Sequence, residues 1–268
     1  MRVLKHNLDN KSIGEQLATV LKIGDLNRLH VGIFALHLTM TAIFVLLPHQ
    51  LTEVMGLSVR QQGLVYLPLL FVGFAVAIPF IIIAEKKRKM RQVFLAAIAL
   101  MTAALAFLAF GSQVGVGIIF GLLLYFMGFN LLEATIPSWI SKRAPVANKA
   151  TAMGLNSSSQ FLGAFLGGML GGYVAQTTST QAVFAAAALV GLIWLIIAWK
   201  MQVPPKSKVI SLMTNLSSEE QAQALASQLV ALPGVIEATV VRDESRSYLK
   251  INDKEFDLDQ ARKVAGLI

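Results

Sequence analysis

Hydrophobic residues in this chain gather into six long blocks, near 30–51, 63–84, 92–111, 114–139, 151–175 and 181–201, with few charged positions inside any of them. Each block is close to the ~20 residues that a helix needs to cross a bilayer. No strand-like alternation interrupts them, so they predict six membrane-spanning helices. Residues 1–27 are mixed polar, with Ile13, Leu17, Val20 and Leu21 at helical spacing. That recurrence predicts a short amphipathic helix, either a packed linker or a helix lying on the membrane surface.

The pattern changes after Val203-Pro204-Pro205, where proline is expected to end the last helix. Strands are predicted over Val209–Met213, Val235–Arg242 and Tyr248–Ile251, and helices over Glu219–Leu229 and Asp257–Ala265. Pro233-Gly234 marks a turn, and Asp243–Ser245 a tight connection. The order βαββα is that of a split βαβ, ferredoxin-like α+β module, and about 60 residues can fold as a small domain without staples. The predicted organisation is therefore a linker over 1–27, a transmembrane bundle over 28–203 and a ferredoxin-like domain over 206–268.

Composition agrees with that reading. The apolar fraction is 55 % and the charged fraction only 14 %, where soluble domains carry about 25 %. The chain has no cysteine, which excludes disulfides, thiolate metal sites and cysteine nucleophiles. The net charge of +8 is unevenly spread: residues 1–205 hold 15 Lys/Arg against 6 Asp/Glu, and 206–268 hold 8 against 9. The excess lies beside apolar segments, so it reads as an orientation signal and not as a nucleic-acid surface. Basic residues crowd into the N-terminal segment, Glu85–Arg91, Ser141–Lys149 and the stretch from Lys200, whereas the connections 52–62, 111–113 and 176–180 hold one, Arg60. The positive-inside rule then predicts an even number of spans with both termini cytoplasmic. Trp139, Trp194 and Trp199 fall near the cytoplasmic ends of their predicted helices, as interface anchors would. The polar first 27 residues lack an apolar core, which predicts no cleaved signal peptide.

Four strings carry a resemblance: IAEKKRKMRQVF (83–94), FNLLEATIPSWISKRAP (129–145), KATAMG (149–154) and SSSQFLGAFLGGMLGGY (157–173). Together with a ferredoxin-like domain after the last helix, they resemble the C-terminal half of a major facilitator superfamily transporter. The likeness is nearest to the YajR-type subgroup of bacterial inner-membrane proteins, whose added domain is called YAM. The resemblance implies a secondary transporter, a proton-coupled exporter working by alternating access, with its site between two six-helix halves. It also implies a partner for this chain, an N-terminal six-helix half absent from these residues, so transport by this chain alone is not expected. The other partners expected are the lipid bilayer and a small-molecule substrate of unknown identity. The competing reading is a non-transporting membrane-anchored regulatory domain or an inactive truncated product.

Candidate chemistry is sparse. Glu133 stands inside an apolar block about six residues before its end, on the order of 9 Å deep at 1.5 Å per residue. An acid at such a place is a functional hypothesis by default. It reads either as a proton site with Asn130 one turn earlier as its partner, or as half of an ion pair. The family resemblance implies the latter, a cytoplasmic gate latch to Arg88 or Arg91, although the glycine and aspartate usual in that loop are replaced near Ala84-Glu85. Asn156, Gln160, Gly163, Gly167 and Gly171 share one helix face. The glycines are expected to admit a neighbouring backbone; Asn156 and Gln160 line a cavity or bond between helices. His37, seven residues after His30 and on about the same face, could titrate or line the cavity. Met213-Thr214-Asn215-Leu216-Ser217-Ser218 sits where heavy-metal-associated domains carry MTCxxC, and Leu232-Pro233-Gly234-Val235 resembles their LPGV turn. Asn215 and Ser218 replace the cysteines, so no metal or other cofactor is expected. No phosphate-binding loop, HExxH or GxSxG motif occurs, and no enzyme activity is expected.

Overall fold

The computed structural model describes residues 12–204, 207–214, 218–241, 244–252 and 255–267. They form two compact units. The first comprises Gly24–Ile140 and Gly154–Val203, and the second gathers the described residues of Met1–Ile23, Ser141–Met153 and Pro204–Ile268.

Six long helices build the first unit: α2 (Gly24–Met55), α3 (Val59–Lys86), α4 (Met90–Gly111), α5 (Gly115–Arg143), α6 (Lys149–Thr177) and α7 (Thr180–Ala198). The first and last turns facing the α5–α6 connection belong to the second unit. All but α6 are both long and apolar enough to cross a membrane. At 29 residues α6 has the length, but Asn156, Ser157, Ser158, Ser159, Gln160 and its glycines dilute its hydropathy. The helices run through Pro48, Pro68, Pro79 and Pro137 without ending.

The expected end of the last helix is corrected. It stops at Ala198, not at the prolines. The Trp199 amide closes onto Ile196 O, and Arg91 takes up the carbonyls of Trp199 and Met201 just beyond the helix. The expected tryptophan anchors are also corrected. Trp139 and Trp194 are core residues, 3 % and 1 % exposed, and only Trp199 is open. Phe94 stacks on Trp139 at 4.8 Å and meets Trp194 edge-on at 6.4 Å. The Trp194 indole lies over Gly32, where a Cβ would come within 2.9 Å of its Nε1.

Glycines fix the helix spacing. On α6, a Cβ at Gly163 would lie 2.3 Å from Phe34 O, one at Gly167 2.2 Å from Leu38 O, and one at Gly171 2.7 Å from Ala42 Cα. Residue numbers rise together on the two helices, so α2 and α6 run parallel with their backbones in contact. This is the close approach that small residues permit in membranes.

In the second unit, α1 (Ile13–Leu21) is capped by Ser12, whose hydroxyl accepts from the Glu15 amide. The C-terminal part runs β1 (Lys208–Met213), α8 (Glu219–Ala231), β2 (Val235–Val241), β3 (Arg246–Ile251) and α9 (Leu258–Val264). The sheet order is β1-β3-β2 with both pairs antiparallel, as the ferredoxin-like expectation requires. Leu212, Leu225, Leu229, Val240, Leu249 and Ile251 centre its core. Gly234 has φ +76°, and a side chain there would strike the Phe256 amide. Asn215, Leu216 and Ser217 of the loop compared with metal-binding domains lie outside the described residues. Ser218 caps α8 by accepting from Gln221 N.

Candidate functional site

A polar cluster joins three helices of the bundle. His37 on α2 is 5 % exposed. Its Nδ1 lies 3.2 Å from the Ile33 carbonyl one turn earlier, and its Nε2 lies 2.8 Å from the Gln160 amide nitrogen on α6. An amide nitrogen can only donate, so Nε2 accepts and Nδ1 carries the hydrogen given to Ile33 O. Both ring nitrogens are thus satisfied. Phe129 on α5 meets it edge-on at 5.9 Å.

Glu133, one turn beyond Phe129, brings its Oε2 to 3.7 Å from the same Nε2. That is ion-pair range but too long for a hydrogen bond. Oε2 is buried and has no hydrogen-bond partner among the described residues, yet the side chain as a whole is 36 % exposed. Part of the side chain is therefore open while its Oε2 meets histidine. Below the cluster, the Thr41 hydroxyl lies 2.8 Å from both His37 O and Ala164 O, tying α2 to α6. Thr39 on α2 reaches the Tyr125 hydroxyl on α5 at 3.2 Å.

The other expected site residues are placed apart. Asn130 does not meet Glu133: its amide donates to Leu70 O on α3 at 3.4 Å and packs over Gly73. Asn156 is 3 % exposed, and its Oδ1 has no partner among the described residues. The latch to arginine is not formed. Arg91 donates from Nε to Met201 O at 2.9 Å and from Nη2 to Trp199 O, with its guanidinium 6.0 Å from the Trp199 ring centroid. The guanidinium thereby satisfies carbonyls beyond the end of α7, a role that basic side chains commonly play at helix C-termini. Arg88 is exposed in the α3–α4 turn at φ 56°, while Glu133 faces α2. Arg91 was foreseen as a gate residue, and no signal in the chain names α7 as its target.

No group of three or more His, Cys, Asp or Glu residues that could hold a metal occurs among the described residues.

Comparison with known proteins places this geometry in context. Residues 11–239 match the sequence profile of the Major Facilitator Superfamily. The chain is 36 % identical over 264 residues to the inner membrane transport protein YajR of Escherichia coli (strain K12), covering 97 % of this chain and 57 % of that protein. It is 26 % identical over 176 residues to an uncharacterized transporter of Buchnera aphidicola subsp. Baizongia pistaciae, covering 63 % of this chain and 43 % of the relative. The chain thus spans about half the length of the curated relatives it matches. Among solved structures, the POT family transporter PepTSo shares the fold over 68 % of this chain and 39 % of its own, with a TM-score of 0.55 at 14 % identity.

Proposed function

Because this chain belongs to the Major Facilitator Superfamily, we propose that it serves as the C-terminal bundle and appended domain of a proton-coupled exporter working by alternating access. The observation that carries the reading is the His37–Gln160–Glu133 cluster joining α2, α5 and α6.

With Nε2 unprotonated, the imidazole accepts from Gln160 and α6 is tied to α2. A proton arriving at Nε2 turns that acceptor into a donor, and the Gln160 amide nitrogen can no longer face it. Either the amide rotates to offer its oxygen, or the imidazolium turns to the Glu133 carboxylate 3.7 Å away. Proton movement between Nε2 and Oε2 therefore reverses or breaks the bond between α2 and α6. The exposed side of Glu133 supplies the route by which the proton enters or leaves the bundle.

That this chain covers only 57 % of the Escherichia coli relative supports a second six-helix bundle as the partner that completes the cavity. The basic connections support cytoplasmic termini, and the inner-membrane relative supports an inner-membrane location. The βαββα order supports a YAM-type appended domain.

The test is a screen of small solutes against proteoliposomes holding this chain with a six-helix N-terminal half, read as currents on a solid-supported membrane under a pH gradient. A solute-dependent proton current is expected, abolished by Glu133→Gln while solute exchange without net proton movement persists. Undiminished proton current in Glu133→Gln would overturn the coupling role.

A further inference from the structure

Three polar residues of the C-terminal domain are buried where its own core does not reach them. Ala238 and Val240 of β2 point into the core beneath α8, so the alternation of a strand sends Glu237 and Thr239 to the opposite face of the sheet. Glu237 and Lys250 are cross-strand partners in the β2–β3 register, and they are 8 % and 7 % exposed. Two ionisable side chains buried on the outer face of a small sheet need partners there.

The partners are backbone groups of the α5–α6 connection, which belongs to the same compact unit. Lys250 Nζ donates to Lys142 O at 2.5 Å and to Ala144 O at 3.2 Å. Lys142 lies in the final turn of α5, whose last carbonyls lack helical N–H donors and carry the negative end of the helix dipole. Glu237 Oε1 accepts from the Val146 amide at 3.1 Å. Val146 begins the 3-10 turn Val146–Asn148 that runs directly into α6, and Pro145 precedes it. The base thus meets the outgoing end of one helix, and the acid meets a free amide on the way into the next.

We propose that the C-terminal domain is a clamp whose partner is the α5–α6 connection of this same chain, with Lys250 capping the end of α5 and Glu237 holding the lead-in to α6. The polarity is what makes the surface specific: it fits a chain reversal that offers carbonyls on one side and an amide on the other. Gln16 on α1 adds a third hold, accepting from the Thr151 hydroxyl at 2.7 Å in the first turn of α6. Chain continuity then connects the clamp to the helices that carry Glu133 and Gln160. The clamp itself does not depend on the transport reading.

The test uses the full chain in nanodiscs, read by hydrogen exchange at 142–148 and by tryptic cleavage after Lys142 and Arg143. Lys250→Met and Glu237→Met are each expected to raise exchange and cleavage there about tenfold, with strand protection over 235–251 retained. Val146→Pro removes the amide that Glu237 accepts without touching the domain, and the same release is expected. The deciding variant exchanges the charges, Glu237→Lys with Lys250→Glu. It keeps the cross-strand attraction but sets an acid against carbonyls and a base against an amide, so protection is not restored. Restored protection in the exchanged pair, or unchanged protection in Val146→Pro, would overturn the clamp and leave only a cross-strand pair.

Discussion

Replacing Gly167 with alanine tests whether backbone contact between α2 and α6 is what positions the polar cluster. The added carbon would sit 2.2 Å from Leu38 O and 2.3 Å from the Thr41 hydroxyl, whereas real Cβ contacts stay beyond 3.0 Å. The main chain of Leu38 cannot swing aside, so α6 must retreat by about 0.8 Å or more. That retreat stretches the 2.8 Å Gln160–His37 bond to about 3.6 Å, past hydrogen-bond range. Overpacking of this kind costs about 1–3 kcal/mol, and losing the bond adds about 1 kcal/mol. Gly168 on the same helix is the control, because a Cβ there meets nothing within 4 Å. Alanine's propensity advantage over glycine is common to both variants. Their stability difference therefore isolates the clash and the lost bond, at ~2–4 kcal/mol. Equilibrium unfolding of both variants in mixed micelles measures it. Equal stability of Gly167→Ala and Gly168→Ala would refute the packing argument.

Three other outcomes follow from the geometry. Arg91→Ala is expected to destabilise the bundle by about 1–3 kcal/mol through the carbonyls beyond α7, and a double-mutant cycle with Glu133→Gln should show coupling near zero; strong coupling would restore the latch. Asn130→Ala should cost about 0.5–1.5 kcal/mol at the α3–α5 contact while leaving proton coupling intact, and loss of coupling would count against its placement. Burial, opposed by Glu237 and reinforced by Lys149 and Arg143, holds the Lys250 amine below its ordinary 10.5. The folded form then binds fewer protons than the open form, so stability of the docked domain rises with pH until 10.5 is passed. Protection factors at 142–148, which divide out the intrinsic pH dependence of exchange, should climb across that alkaline range in the native chain and stay flat in Lys250→Met.

Much of this architecture was legible from pattern alone, because bilayer and water impose long-range rules on short-range sequence. Apolar block lengths located every long helix, and the strand alternation after Pro204 yielded β1, β2 and β3 in order. The glycine stripe was readable as packing, since Gly163, Gly167 and Gly171 share a face and glycine has little other reason to recur there. What escaped were pairings between helices. His37, Gln160 and Glu133 each stood out singly, but nothing local says that α2, α5 and α6 bring them together. Arg91 was recognisable as a basic loop residue, yet its partners are carbonyls, which every residue has. Trp139 and Trp194 sat near block ends as anchors would, and only the Gly32 and Phe94 contacts make them core. Glu237 and Lys250 drew no attention because their burial comes from a loop distant in sequence.

The most direct test of the central claim is pH-jump infrared difference spectroscopy of the chain in membranes. The account predicts a protonated-carboxyl band that disappears in Glu133→Gln, accompanied by an imidazole band lost in His37→Asn and a side-chain amide change lost in Gln160→Ala. A difference spectrum unaltered by Glu133→Gln would contradict it.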